Sequence, residues 1–145
     1  MSPFTGHRDH RIDGKDRVVI PASFAHRIQG DSDGRLFLVP SNDAPCLEAY
    51  PARIYEAMAT EQIPNRFEGR QDLKRLFFQN AEEVELKGPG RITLPKRFLA
   101  YFPHNEVRIA GLNTYLELWD PRTWDERIGM ALSAQVPPGL TGSGD

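Results

Sequence analysis

The chain is poor in the features that mark secreted, membrane-spanning and disulfide-bonded proteins. Cys46 is its only cysteine, so no internal disulfide forms, and no metal-ligand spacing surrounds that residue. No apolar run approaches the roughly 18 residues of a transmembrane helix. The N-terminal MSPFTGHRDHR is polar and basic and lacks the apolar segment of a signal peptide. We therefore expect a cytoplasmic protein that does not enter a membrane.

Catalytic signatures are equally scarce. The sequence has no GxSxG, P-loop or GxGxxG motif and no nucleophile beside a plausible base. His7 and His10 lie near Asp9 and Asp13, yet residues three apart on a strand point to opposite faces, so these side chains do not converge on a metal. The carboxylate run over 82–85 is typical of a solvated face. We predict no enzyme activity, no metal site and no cofactor.

The chain does contain an internal repeat. Residues 12–25 read IDGKDRVVIPASFA and residues 86–99 read LKGPGRITLPKRFL, at a constant offset of 74 residues. A second pair of similar segments follows the first. CLEAYPARIYE over 46–56 matches YLELWDPRTWD over 115–125. Two copies of one supersecondary unit are therefore expected, with any function at the tip of the unit presented twice.

Charge follows the repeat. The net charge is only −2, which taken alone argues weakly against nucleic acid as a partner. By segment, however, residues 1–30 carry +2, residues 31–69 carry −4, residues 70–105 carry +3 and residues 106–145 carry −3. Such imbalances are ordinary on solvated surfaces. Here both basic stretches contain the repeated hairpin, which favours a functional interpretation.

Turn and proline residues predict the unit as β-β-α-β-β. Asp13-Gly14 and Gly88-Pro89-Gly90 are turn sequences, and Gly90 supplies a positive φ. Pro21 and Pro95 each end a strand and suit the first position of a helix. Later strands are predicted over 36–39, 47–50, 107–110 and 115–119, and helices over 52–59, about 70–79 and after Asp120-Pro121.

The fold class is thus predicted to be α+β, mainly β, with helices trailing each unit. We place the first half over 1–69, the second half over 70–132, and a disordered tail over 133–145. Phe24 and Phe98 are predicted to occupy equivalent buried positions in one shared core.

The two hairpin tips are the candidate functional site. They read DGKDR over 13–17 and KGPGR over 87–91, and both place cations around a glycine turn. Lysine and arginine beside exposed backbone amides suit phosphate contact, and arginine also binds guanine through two hydrogen bonds. In the first tip, Arg17 pairing with Asp13 to tie the hairpin is an equally good interpretation. In the second tip Lys87 replaces that carboxylate. The predicted DNA-binding residues are Arg8, Arg11, Lys15, Arg17, Lys87 and Arg91.

At these residues the chain resembles the MraZ family of bacterial transcriptional regulators, over about residues 4–130. The family opens with F-x-G, a histidine four residues after the glycine, and D-x-K-G-R. Its second half carries G-R-[IV]-x-[IL]-P, then a glycine and E-x-W. The matching residues here are Phe4, Gly6, His10, Asp13, Lys15 and Arg17, then residues 90–95, Gly111, Glu117 and Trp119. Two positions differ, since Asp16 stands where the family usually has glycine and Lys87 stands where it has aspartate.

The resemblance implies two AbrB-like halves that interlock as a swapped-hairpin barrel with pseudo-twofold symmetry. It also implies a ring-shaped homo-oligomer that binds direct repeats of double-stranded DNA upstream of the division and cell-wall gene cluster, usually repressing it in the nucleoid. Many tips along one duplex would combine weak contacts into useful affinity. The alternative is an AbrB-like oligomeric scaffold that binds a protein and not DNA. A small barrel enzyme is a third, weaker possibility.

Overall fold

The computed structural model describes residues 2–64 and 66–135 and shows an α+β fold that is mainly sheet. Each half contains the predicted order of two strands, a helix and two strands. The elements are β1 His7–Arg11, β2 Arg17–Val19, α1 Ala22–Ser32, β3 Arg35–Pro40, β4 Leu47–Pro51, α2 Ala52–Ala59, α3 Gln71–Gln79, β5 Glu82–Glu85, β6 Arg91–Thr93, a 3₁₀ helix Lys96–Tyr101, β7 Glu106–Leu112, β8 Tyr115–Trp119, α4 Pro121–Trp124, a π-helical turn Asp125–Gly129 and α5 Met130–Gln135.

The strands of the two halves exchange partners. One six-stranded antiparallel sheet runs in the order β1-β7-β8-β4-β3-β5, and β2 pairs with β6 in a separate two-stranded ribbon. The first strand of each half pairs with the third strand of the other, as β1 with β7 and β5 with β3. The strands at equivalent positions in the two halves are β1 and β5, β3 and β7, and β4 and β8. Exchanging each strand for its equivalent gives the same strand order in reverse. The strand order therefore has approximate twofold symmetry.

The strands do not close into the barrel that the sequence resemblance implied. Over the described residues the large sheet ends at β1 and β5, and the ribbon lies across these ends, with β2 contacting β1 and β6 contacting β5. Pro21 and Pro95 follow the two ribbon strands closely and have no N–H to donate. Strands β2 and β6 are only three residues long, and their ladder joins them to each other and not to the edges of the large sheet.

One apolar core draws on both halves. The ribbon residues Val18 and Ile92 face this core, as do Phe24 and Phe98, which are 8% and 1% exposed. The N–H of each phenylalanine donates to the carbonyl of the preceding proline, Pro21 or Pro95, at 2.9 Å. The predicted equivalence of the two phenylalanines is confirmed, although the first helix is α-helical and the second is 3₁₀.

The outer face of the large sheet is covered differently in the two halves. Over the first half an aromatic cluster lies under α2 and α3, where Phe37 stacks on Tyr55 at 4.1 Å between ring centroids. Over the second half the cover is the helical segment 121–135, whose first turn is capped by Asp120, as predicted. This segment continues to Gln135, and residues 136–145 of the predicted tail lie outside the described residues. No helix in the described part of the chain combines the length and apolarity needed to span a bilayer.

Candidate nucleic-acid interface

The two hairpin tips have the same backbone structure. In each, the N–H of the first residue donates to the carbonyl of the arginine, and the N–H of the fourth residue donates to the carbonyl of the first. These bonds are Asp13 N to Arg17 O at 2.9 Å and Asp16 N to Asp13 O at 3.1 Å in the first tip, and Lys87 N to Arg91 O at 2.7 Å and Gly90 N to Lys87 O at 3.1 Å in the second. The sequence repeat is therefore a repeat of turn geometry.

The fourth residue of each tip has left-handed backbone. Gly90 has a φ of 97° and its equivalent, Asp16, has a φ of 62°. A side chain in this region costs about 1–2 kcal/mol, and aspartate tolerates it better than most residues. The positive φ predicted for Gly90 is confirmed, and in the first tip the left-handed residue is Asp16. The carbonyls of Asp16 and Gly90 accept the N–H groups of Leu94 and Ile20 at 2.8 and 2.9 Å, which ties each tip to the opposite strand.

The ribbon places both tip arginines, each half-buried, on its outward face. Val18 lies opposite Ile92, and both side chains point into the core. Because side chains alternate along a strand, Arg17 and Arg91 must both point outward. Arg17 lies opposite Thr93 and Arg91 opposite Val19, so the two arginines are diagonal neighbours with their backbones about 7–8 Å apart. The structure brings these two predicted site residues together.

In the first tip the arginine is held by a carboxylate. The Nε of Arg17 lies 2.8 Å from Asp13 Oδ2, while Asp13 Oδ1 accepts the N–H groups of Lys15 and Arg17, each at 2.9 Å. The hydrogen bond from the Arg17 backbone, helped by that from Lys15 and by the guanidinium, lowers the pKa of Asp13 to about 2. Asp13 takes only the Nε–H, so the terminal Nη groups of Arg17 have no partner among the described residues.

In the second tip the arginine has no carboxylate partner. Arg91 forms no ion pair with any described residue, and its Nε is buried without a hydrogen bond there. Lys87 Nζ lies 3.5 Å from Glu85, just outside the tip, with both side chains well exposed. The purely cationic tip expected from the sequence is therefore partly neutralised by a neighbour.

The other predicted residues flank the ribbon unequally. Arg8 and His10 line a shallow pocket of about 270 Å³ together with Val19 and Pro21, which brings Arg8 beside the ribbon face. Arg11 is three residues from Arg8 on β1 and so lies on the opposite face of that strand. Within the described residues, Arg8, Arg11 and Lys15 form no side-chain ion pair.

Two cations that the sequence analysis missed act on this region. Lys96, an exposed residue, places Nζ 3.2 Å from Asp16 Oδ2 and so offsets the anion that replaces the usual glycine. Arg108 binds both carboxylate oxygens of Asp9, at 2.8 and 2.9 Å, and reaches Asp125 at 2.7 Å. Its hydrogen bonds lower the pKa of Asp9. Lys96 and Asp16 come from opposite halves of the chain, and Asp9 and Arg108 lie opposite each other on the neighbouring strands β1 and β7. No local sequence pattern relates residues so far apart in the chain.

Comparison with known proteins places this arrangement in a family. Curated relatives called "Transcriptional regulator MraZ" are 34% identical over 128 residues in Dehalococcoides mccartyi, covering 84% of this chain and 85% of the relative, and 32% identical in Roseiflexus castenholzii, covering 83% of each. A relative of the same name in Pseudomonas fluorescens is 30% identical over 140 residues, covering 94% of this chain and 92% of its own. The chain belongs to the MraZ family. The family model, described as "MraZ protein, putative antitoxin-like", matches residues 77–134, which include the second tip.

Family membership confirms the resemblance seen in the sequence and gives the departures a structural meaning. The family's usual glycine falls on the left-handed position, where Asp16 is held in a conformation that glycine adopts freely. The family's second aspartate falls on Lys87, so Arg91 lacks the carboxylate that orients Arg17. The two tips of this MraZ-family chain are thus chemically distinct although their backbones match.

Proposed function

We propose that this chain is a transcriptional regulator that binds double-stranded DNA through the outward face of the β2–β6 ribbon. The observation that carries the proposal is the strand register, which sets Arg17 and Arg91 on one outward face between two turns that each carry a lysine. The names of its relatives support the regulatory role. DNA-binding proteins that contact bases with strands and not with a helix can insert a two-stranded β-ribbon into the major groove.

The tips divide the binding work by chemistry. Lys15 and Lys87 contact phosphates, which gives affinity without sequence preference. Arg17 and Arg91 reach base edges, where a guanidinium pairs with guanine O6 and N7. Asp13 holds the Nε of Arg17 and leaves its Nη groups available, so less side-chain freedom is lost on binding. Arg8 adds a phosphate contact beside the ribbon, and Arg11 adds one from the other face of β1.

We further propose that the fold is the AbrB-like swapped-hairpin arrangement, with halves over 1–69 and 70–132. The exchange of β1 and β5 between the halves supports it, because each half completes the sheet of the other. Neither half would then be stable alone. The described strands form an open version of this arrangement, in which the β2–β6 ribbon lies across the two ends of the large sheet.

We also propose assembly into a homo-oligomeric ring that acts in the cytoplasm, on the nucleoid. The ring, its direct-repeat operator and repression of the division and cell-wall gene cluster rest on the family resemblance. Each tip pair offers few free cations, so several copies on one duplex are needed for useful affinity. Light scattering at micromolar concentration is expected to give a mass well above the 16.4 kDa of one chain. A monomer would remove the multivalent mechanism.

Immunoprecipitation of the native protein, followed by sequencing of the DNA recovered, tests the function. We expect enrichment of repeat-containing promoter DNA, and tight binding of that DNA in vitro that weakens steeply with salt. Enrichment of no DNA, with salt-independent or absent binding in vitro, would favour the protein-binding scaffold.

A further inference from the structure

Two pockets that differ in charge flank the ribbon. The first, about 270 Å³, is lined by Val19 and Pro21 with Arg8 and His10 of β1. The second, about 330 Å³, is lined by Thr93 and Pro95 with Glu83 and Glu85 of β5, and by Lys87 of the second tip. Val19 and Thr93 are 74 residues apart, as are Pro21 and Pro95. In the same register Arg8 corresponds to Glu82 and Arg11 to Glu85, so the first strands of the two halves have opposite charges at equivalent positions. We call the β1 side the basic flank and the β5 side the acidic flank.

The basic flank keeps its cations free. Strand β1 reads HRDHR, and its single carboxylate, Asp9, is occupied by the two hydrogen bonds from Arg108. Arg108 is itself largely buried, with 12% of its side chain exposed, while Asp9 keeps 41% of its side chain exposed. Arg8 and Arg11 are left without ion partners among the described residues, and both are exposed.

The acidic flank keeps its carboxylates exposed. Strand β5 reads EEVE, and each of its three glutamates has one cationic partner. The pairs are Glu82 with Arg97 at 3.0 Å, Glu83 with Arg35 at 2.5 Å and Glu85 with Lys87 at 3.5 Å. The carboxylate side chains stay between 42% and 57% exposed, and exposed pairs of this kind are weak. The third pair involves Lys87 of the second tip.

We infer that the chain lies on the duplex in a single orientation, with the basic flank closer to the phosphates than the acidic flank. This inference rests on the proposed DNA-binding function. A ribbon with exact twofold symmetry would bind a site in either direction. Here the strand charges are +1 on β1 and −3 on β5, with histidine neutral, and the duplex carries one negative charge per about 1.7 Å of its axis. The flanks thus determine which end of an asymmetric half-site meets the first half of the chain.

Tethered DNA cleavage tests the orientation directly. His10→Cys and Val84→Cys place a thiol at equivalent positions, 74 residues apart, one in each pocket. The native Cys46 is fully buried, and burial raises the pKa of its thiol, so it does not compete for an iron–EDTA reagent. The probe is a duplex from the most enriched immunoprecipitated promoter. We expect cleavage at least five-fold stronger from position 10, on one side of each repeat.

Each other outcome is informative. Equal cleavage from both positions, in mirrored patterns, would overturn the single orientation while leaving DNA binding by the ribbon intact. Cleavage from neither position, in complexes that still form, would overturn the orientation and the proposed contact surface together. Stronger cleavage from position 84 would overturn the inferred direction.

Neutralising the acidic flank gives an independent test. The triple variant Glu82→Gln, Glu83→Gln, Glu85→Gln keeps the shape of β5 and removes its charge. In the Val84→Cys background it is expected to raise cleavage from position 84 at least three-fold. The matched control, Glu61→Gln, Glu68→Gln, Glu126→Gln, removes three exposed carboxylates elsewhere and is expected to leave the cleavage pattern unchanged. An equal rise in both variants would show that net charge, and not the flank, sets the orientation.

Discussion

The two hairpin tips share one backbone conformation but differ in the side chains around their arginines. Both close with the same pair of hydrogen bonds, and both bind the opposite strand through the carbonyl of the left-handed residue. Yet Arg17 is held by Asp13 at 2.8 Å, while Arg91 has no ion partner among the described residues. The comparison shows that the repeated turn preserves geometry, whereas the side chains around it are free to diverge.

The divergence has a functional consequence. A guanidinium that is already oriented loses less freedom on binding than one that is not. We therefore expect Arg17 to make the better-defined contact and Arg91 the more adaptable one. Asp16, the anion next to Arg17, is offset by Lys96 from the second half, so each tip depends on the other half of the chain.

The largest expected effect tests whether the halves share one core. Phe98→Ala and Phe24→Ala each remove a buried ring, and each is expected to lower the free energy of unfolding by about 3–5 kcal/mol. Phe98, at 1% exposed, is expected to be at the upper end, above Phe24 at 8%. Urea denaturation measures both. Two separate unfolding transitions, each sensitive to only one variant, would contradict a shared core.

The second effect concerns the left-handed position. Gly90→Ala places a Cβ 3.1 Å from the Ala25 Cβ at a φ of 97°, and we expect a loss of about 1–3 kcal/mol. Asp16→Gly relaxes the equivalent position and is expected to change stability by less than about 1 kcal/mol. It also removes an anion beside Arg17, so DNA binding is expected to tighten several-fold. Thermal unfolding and a DNA titration check these outcomes, and weaker binding by Asp16→Gly would contradict the account.

A smaller effect separates the two arginines without DNA. Arg17→Met breaks an exposed ion pair and is expected to cost at most about 1 kcal/mol of folding stability. Arg91→Met removes a buried Nε that has no hydrogen-bond partner among the described residues, and we expect no loss. Urea denaturation distinguishes the two. If Arg91→Met proved the more destabilising change, Arg91 would have a structural role that the contacts do not show.

The smallest effect is a matter of pH. The pKa of Asp13 is about 2 when folded, against about 3.9 in an unfolded chain. The lowered value means that its stabilising contribution is present above pH 4 and is lost as the pH falls toward 2. An NMR titration of the Asp13 carboxyl is expected to give a midpoint near 2. A midpoint near 4 would show that the contact with Arg17 is absent in solution.

Much of this could be predicted from the repeat alone. The β-β-α-β-β order, the burial of Phe24 and Phe98 and the positions of the tips follow from turn residues, prolines and a constant offset. The left-handed Asp16 was missed because glycine is the usual signal for that conformation, and here the signal stood only at its equivalent, Gly90. The closed barrel was expected from resemblance, and the short ribbon strands do not provide it.

Contacts between the halves were beyond sequence reasoning. Lys96 meets Asp16 from 80 residues away, and Arg108 meets Asp9 from 99 residues away. Both depend on strand exchange, which no local pattern encodes. The acidity of β5 was visible in the sequence as the carboxylate run over 82–85, which was interpreted as a solvated face. Its position beside the ribbon required the structure.

The central claim is that the ribbon arginines bind DNA, and a titration of the double variant Arg17→Ala, Arg91→Ala tests it most directly. The control, Lys74→Ala with Arg75→Ala, removes the same charge from α3, which packs on the outer face of the sheet, away from the ribbon. Light scattering verifies that both variants keep their assembly. At about 1–3 kcal/mol per contact, the double variant is expected to lose at least ten-fold in affinity for the promoter duplex and its base discrimination, while the control keeps both. Unchanged affinity in an intact double variant would show that the tips are structural turns.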